Sequence, residues 1–92
     1  MPKLICEHSH SLASVEAQSR MRSLLDHFGV KYRFTTDWVG DGLARVRARG
    51  MTGQVTVGAQ AVRFDLDLSF LLSPFRSRIE EGIRREVQRA FA

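Results

Sequence analysis

The stretch from Val62 to Phe70 constrains the fold of this chain more than any other. Val62, Phe64, Leu66, Leu68 and Phe70 alternate with Arg63, Asp65, Asp67 and Ser69. An extended strand with that pattern buries one side and leaves the other in water. Strands of this kind belong to antiparallel sheets that pack on one face only. Directly after it, Ser73-Pro74 predicts a helix start, with serine as N-cap and proline at the first helical position. Phe75, Ile79, Ile83, Val87 and Phe91 then recur every fourth residue as a buried stripe. Glu80 before Arg84 and Glu81 before Arg85 decorate the outer face in the favoured orientation. Gly82 interrupts this helix and is expected to allow close packing on the sheet.

The N-terminal half supplies the remaining elements. Lys3 to Ser9 reads as a short strand, with Leu4, Cys6 and His8 on one side and Lys3, Ile5 and Glu7 on the other. From about Leu12 the period lengthens: Ala13, Ala17, Met21, Leu24, Leu25 and Phe28 form one stripe of a helix. Ser11 or Ser14 is expected to cap its start, and Gly29 to end it in the left-handed conformation. Val30 to Thr36 reads as the next strand, with Val30, Tyr32 and Phe34 inward, and Asp37-Trp38-Val39-Gly40-Asp41-Gly42 as a turn. Leu43 to Arg49 alternates again, Ala44, Val46 and Ala48 against Arg45, Arg47 and Arg49. Gly50-Met51-Thr52-Gly53 predicts a reversal, Val55 and Val57 a further inward-facing pair, and Gly58-Ala59-Gln60 another turn. The fold class that results is α+β: one antiparallel sheet of four to five strands with two helices packed on one face, in the order β-α-β-β-β-β-α. At 92 residues one domain is expected across positions 1–92.

Charge placement narrows the partners. Arg45, Arg47, Arg49 and Arg63 lie between Gly42 and Phe64 with no acid among them, and the whole formal net charge of +4 sits in that segment. Such a stripe suits an anionic surface or an acidic partner, with Trp38 at the edge of the contact. A solvated sheet face answered by Asp65 and Asp67 is the plainer reading of the same residues. Nucleic acid is a weaker expectation, because the polar sheet face shows no paired aromatics on which bases could stack.

Chemistry is sparsely signalled. Cys6, His8 and His10 are the weak candidates for a metal site, and an ordinary strand end turning into a helix is favoured over them, since a fourth ligand beyond His27 is lacking. No P-loop, dinucleotide-binding glycine pattern or Ser-His-Asp arrangement occurs, so neither enzymatic activity nor a cofactor is expected. Phe28, Phe64 and Phe75 would line any ligand site between the sheet and the helices, although a chain this small needs aromatics for its core. The lone Cys6 leaves no intramolecular disulfide and fits a reducing cytoplasm. No apolar run reaches the length of a membrane span or a secretory signal.

Several segments carry a resemblance. His10-Ser11-Leu12, Trp38-Val39-Gly40-Asp41-Gly42-Leu43, Gly50-Met51-Thr52-Gly53-Gln54-Val55-Thr56-Val57, Leu68-Ser69-Phe70-Leu71-Leu72-Ser73-Pro74, Ile79-Glu80 and Ile83 run in this order along the chain. With them the chain resembles the polyhydroxyalkanoic acid system proteins, small bacterial proteins encoded near polyester-granule genes. The resemblance implies a cytoplasmic protein in the setting of polyester storage, with a granule surface or granule-associated protein as partner, and implies no reaction. The expectation is therefore a small accessory or binding protein using the arginine stripe. The alternatives are a nucleic-acid-binding regulator and a carrier of a small acyl or hydrophobic ligand. Monomer and homodimer both remain open.

Overall fold

The computed structural model describes residues 3–91. The strands are β1 (Lys3–Ser9), β2 (Thr35–Trp38), β3 (Leu43–Ala48), β4 (Met51–Val57) and β5 (Ala61–Leu68). Between β1 and β2 runs α1 (Ser14–Tyr32), and a short 3-10 turn (Ser73–Phe75) leads from β5 into α2 (Arg76–Ala90). All five strands form one antiparallel sheet in the order β1-β5-β4-β3-β2, which gives the expected α+β class and element order. β5 pairs on both sides, consistent with its being the clearest strand in the sequence.

One face of the sheet is the floor of the core. Leu4 and Cys6, Val62 to Leu68 in alternation, Val55, Val57, Ala44 and Val46 are buried there beneath Ala17, Met21, Leu24, Leu25 and Phe28 of α1 and Ile83 and Val87 of α2. Burial of each large aliphatic or aromatic side chain contributes about 1.5–3 kcal/mol. α2 is tied down at both ends. Arg76 Nε donates to the Lys3 carbonyl (3.0 Å) at its start, and an Arg20 guanidinium N–H donates to the Ala90 carbonyl (2.9 Å) at its end.

The structure corrects several local expectations. α1 continues a turn past Gly29 to Tyr32, and Arg33 adopts the left-handed conformation (φ 58°) where a glycine was expected. Gly29 has a packing role instead: a Cβ there would lie 3.2 Å from the Phe34 carbonyl oxygen, so its absence lets the returning chain pass close over the helix. Val30 and Tyr32 are consequently helical and exposed, and β2 begins only at Thr35. Asp37 and Trp38 sit in that strand, and the turn shrinks to Val39–Gly42.

Neither Ser11 nor Ser14 caps α1. Its N-cap is Ala13, which is exposed, and no side-chain cap bond forms. Ser73 likewise makes no cap bond, because Pro74 starts a 3-10 turn and α2 opens at Arg76. The β3–β4 reversal takes only Arg49-Gly50, with Gly50 at φ +83°; Thr52 and Gly53 are already paired with Arg47 and Val46. Phe70 lies beyond the end of β5, four-fifths exposed.

The two interior glycines are opposites. A Cβ on Gly53 would strike the Asp65 carbonyl oxygen and lie 2.8 Å from the Leu66 Cα, both on the neighbouring β5. A Cβ on Gly82 would meet nothing within 4 Å, so this residue leaves a gap above the sheet where close packing was expected. Gly53→Ala should therefore lower stability by about 1–3 kcal/mol through overpacking. Gly82→Ala should raise it by up to about 1 kcal/mol through helix propensity alone. Urea unfolding of the two variants measures both, and a stabilised Gly53→Ala would contradict the packing described.

Candidate apolar cavity and the flanking arginines

The gap beside Gly82 opens into the main cavity of the molecule, about 450 Å³ in volume. Its floor is the inner face of the sheet, where Val46, Ala48, Met51, Val55, Phe64 and Leu66 line it. Phe28 of α1, Phe64 of β5 and Phe75 before α2 all line it. The walls are almost wholly apolar. Tyr32, Arg49, Phe75 and Arg78 line the cavity and are also exposed, which puts them on its rim. Neither Arg49 nor Arg78 has an ion-pair partner among the described residues. An apolar chamber with two uncommitted guanidinium groups at its mouth suits a ligand with a hydrocarbon body and an anionic end.

Of the four stripe arginines, Arg45, Arg47 and Arg63 share the open face of the sheet and Arg49 does not. Arg45 and Arg47 project from β3 on the open face of the sheet, Arg45 between Asp37 and Gln54, Arg47 between Thr35 and Thr52. Arg63 stands two strands away on β5, within 3.9 Å of Glu7 and of Asp65. Lys3 approaches Asp65 at 3.6 Å. Lys3, Arg45, Arg47 and Arg63 are thus interleaved with Glu7, Asp37, Asp65 and Asp67, and the open face is charge-balanced. Arg49 leaves this face at the β3–β4 turn and joins the cavity rim. Trp38 is on the other side again. It is half-buried against the core, with the Arg22 guanidinium of α1 4.3 Å from its ring centroid.

Cys6 and His8 lie on β1 and His10 just past its end, with His8 and His10 beside Phe91 at the end of α2. His10 Nδ1 accepts the Leu12 backbone N–H (3.1 Å), which leaves Nε2 protonated to donate to the Gly58 carbonyl (2.9 Å). Both nitrogens are therefore used to join the β1–α1 link to the β4–β5 turn. The His8 and His10 rings stack loosely on Phe91, with centroids 6.3 and 5.7 Å away. Among the described residues no group of three or more His, Cys, Asp or Glu side chains is arranged to hold a metal ion. Burial pushes the Cys6 thiol above its ordinary pKa; Arg84 opposes the rise, Glu80 adds to it, and Arg76 opposes it.

The cavity itself had only a faint sequence signal, the short side chains of Val46, Ala48 and Gly82 among its lining. Arg78 was missed, because a lone arginine on a helix with mixed charges carries no mark. No helix among the described residues is long and apolar enough to cross a membrane.

Two outcomes test this geometry. His10→Ala should cost about 1–3 kcal/mol, since it strands the Gly58 carbonyl and the Leu12 N–H; zinc should leave the wild-type urea midpoint where it is. Cys6 should react slowly with iodoacetamide at neutral pH and rapidly once denaturant opens the chain, because a buried neutral thiol is a poor nucleophile. Because its folded pKa is raised, the stability that the neutral thiol contributes is full below the unfolded thiol pKa. It is lost as pH rises through the folded value.

No curated protein and no solved structure matches the chain significantly. A family model described as "Putative polyhydroxyalkanoic acid system protein" matches residues 5–91, almost the full length, and the chain belongs to that family.

Proposed function

We propose that this chain is a non-enzymatic binding protein of the polyhydroxyalkanoic acid system that holds an acyl ligand in the cavity beneath α2. The observation that carries the reading is the cavity itself. Its volume of about 450 Å³ falls within the roughly 300–1,000 Å³ of small-molecule sites. Its walls are almost wholly apolar, and among the described residues its only charged lining residues are Arg49 and Arg78. The family name supplies a matching chemistry, since a hydroxyalkanoic acid is an alkyl chain that ends in a carboxylate. A chain in the chamber would replace exposed apolar wall with contact, and its carboxylate would meet the guanidinium groups at the rim.

Carriage, sequestration or sensing of such a ligand near a polyester granule needs no catalytic group, and a granule-associated protein is the natural recipient. The open sheet face supports a weaker case for docking. Its balanced charges would attract neither an anionic surface nor nucleic acid strongly.

Fluorescence titration with cis-parinaric acid, followed by displacement with a medium-chain β-hydroxyalkanoic acid, tests the proposal. Saturable uptake and competitive displacement are expected. Gly82→Leu should fill the chamber and weaken uptake by about tenfold or more without lowering the melting temperature. Replacing Arg49 and Arg78 with Gln should weaken binding of the acid and leave binding of the matching fatty alcohol unchanged. Absence of uptake by the wild type, or equal uptake by Gly82→Leu, would remove the cavity from the account.

A further inference from the structure

Strict alternation along β5 would turn Phe70 inward, yet the chain holds it in water. The strand stops at Leu68, and the Ser69 N–H donates to the Gly50 carbonyl at 2.8 Å. The Leu72 and Ser73 N–H groups then both donate back to the Ser69 carbonyl, at 3.1 and 3.0 Å. Phe70 and Leu71 therefore stand at the tip of a closed, hydrogen-bonded turn, 80% and 84% exposed. A turn tip normally carries Gly, Asn, Asp or Ser, and two large adjacent apolar side chains fixed in solvent mark an interaction surface.

What surrounds the tip identifies what it meets. β1 begins, β2 begins, the β3–β4 turn falls and β5 ends at the same edge of the sheet, as the pairings Lys3 with Asp67, Thr35 with Arg47 and Met51 with Leu68 require. That edge, with the C-terminus of α1 and the start of α2, gathers Lys3, Lys31, Arg33, Arg49, Arg76 and Arg78. Asp67 stands opposite Lys3, whose ammonium also approaches Asp65 at 3.6 Å, and the chain from Leu68 to Ile79 has no acid. Phe75 and Tyr32, both about half exposed, extend the apolar tip toward the cavity rim.

We infer that this end of the molecule docks on an anionic lipid surface, with Phe70 and Leu71 inserted among the acyl chains and the surrounding lysines and arginines against the headgroups. An apolar wedge ringed by bases is the arrangement that such interfaces select. A protein partner of ordinary chemistry would need no such excess of one sign. The inference goes beyond the ligand reading and stands without it, because neither Phe70 nor Leu71 lines the cavity.

The test is co-sedimentation of the full chain with vesicles of equal parts phosphatidylglycerol and phosphatidylcholine, beside vesicles of phosphatidylcholine alone. Binding to the anionic vesicles is expected, weaker by about tenfold on the neutral ones and falling as salt is raised. Phe70→Ser with Leu71→Ser should lower anionic-vesicle binding by about tenfold or more. The melting temperature and cis-parinaric acid uptake of this double variant should match the wild type, which separates failure of the docking surface from failure of the cavity. A wild type that stays in the supernatant, or a double variant that sediments equally well, would overturn the inference. So would a wild-type dimer that the double variant converts to monomer without any lipid binding, since the tip would then be an interface between copies of this chain.

Discussion

Alternation along β5 puts Val62, Phe64, Leu66 and Leu68 on one side of the sheet, and that apolar floor has to be covered by two helices held at a fixed height. The height is set where side chains are large and where α2 is tied. At one end Phe91 packs over His8 and His10 and Ala90 accepts from Arg20; at the other Arg76 reaches Lys3. Between these ties the cavity floor is made of Val46, Ala48, Met51, Val55, Phe64 and Leu66, and Gly82 lines it from α2. Protein interiors close-pack when side-chain volumes match the spacing of the elements. Here the two helices and the sheet leave an apolar cavity beside Gly82, where the helix presents no side chain.

This constraint also explains which parts of the molecule were legible in the sequence. Period-two and period-four patterns report burial on one face, so β1, β3, β5 and the stripes of both helices were readable from Leu4, Val46, Leu66, Met21 and Ile83. Positions decided by close approach between distant segments were not. Gly29 looks like a helix terminator, yet the carbonyl of Phe34 crossing above it is what demands a glycine, and α1 runs on to an arginine in the left-handed conformation. Gly82 looks like a close-packing device, and only the height of α2 reveals that it faces empty space. Ser73-Pro74 has the composition of a helix cap, but the turn closed on Ser69 delivers the chain at an angle that makes a 3-10 turn first.

The electrostatics divide along similar lines. A linear count concentrates the excess charge between Gly42 and Phe64, but strand pairing mixes that segment with acids from β1, β2 and β5. Arg45 comes to stand opposite Asp37, and Arg63 beside Glu7 and Asp65. Exposed pairs of this kind contribute little to stability, and their effect is to make the open face electrically quiet. The excess reappears at one end of the molecule, assembled from residues far apart in sequence, such as Lys31 and Arg78. Such a grouping depends on the antiparallel topology and is invisible to any window along the chain.

The cavity and the basic end are joined by one short segment. Leu72 and Phe75 are part of the cavity lining, and Phe70 and Leu71, one to five residues earlier, form the exposed tip. The hydrogen bonds from the Leu72 and Ser73 N–H groups to the Ser69 carbonyl close the turn that holds these side chains in one segment. Among the described residues the buried Ser69 hydroxyl has no hydrogen-bond partner, and it lies against Gly50. A group in that position favours any arrangement that satisfies it. The exposed tip and the cavity rim are thus carried by one short stretch of chain, yet by different side chains, since Phe70 and Leu71 are outside the lining and Leu72 and Phe75 are within it.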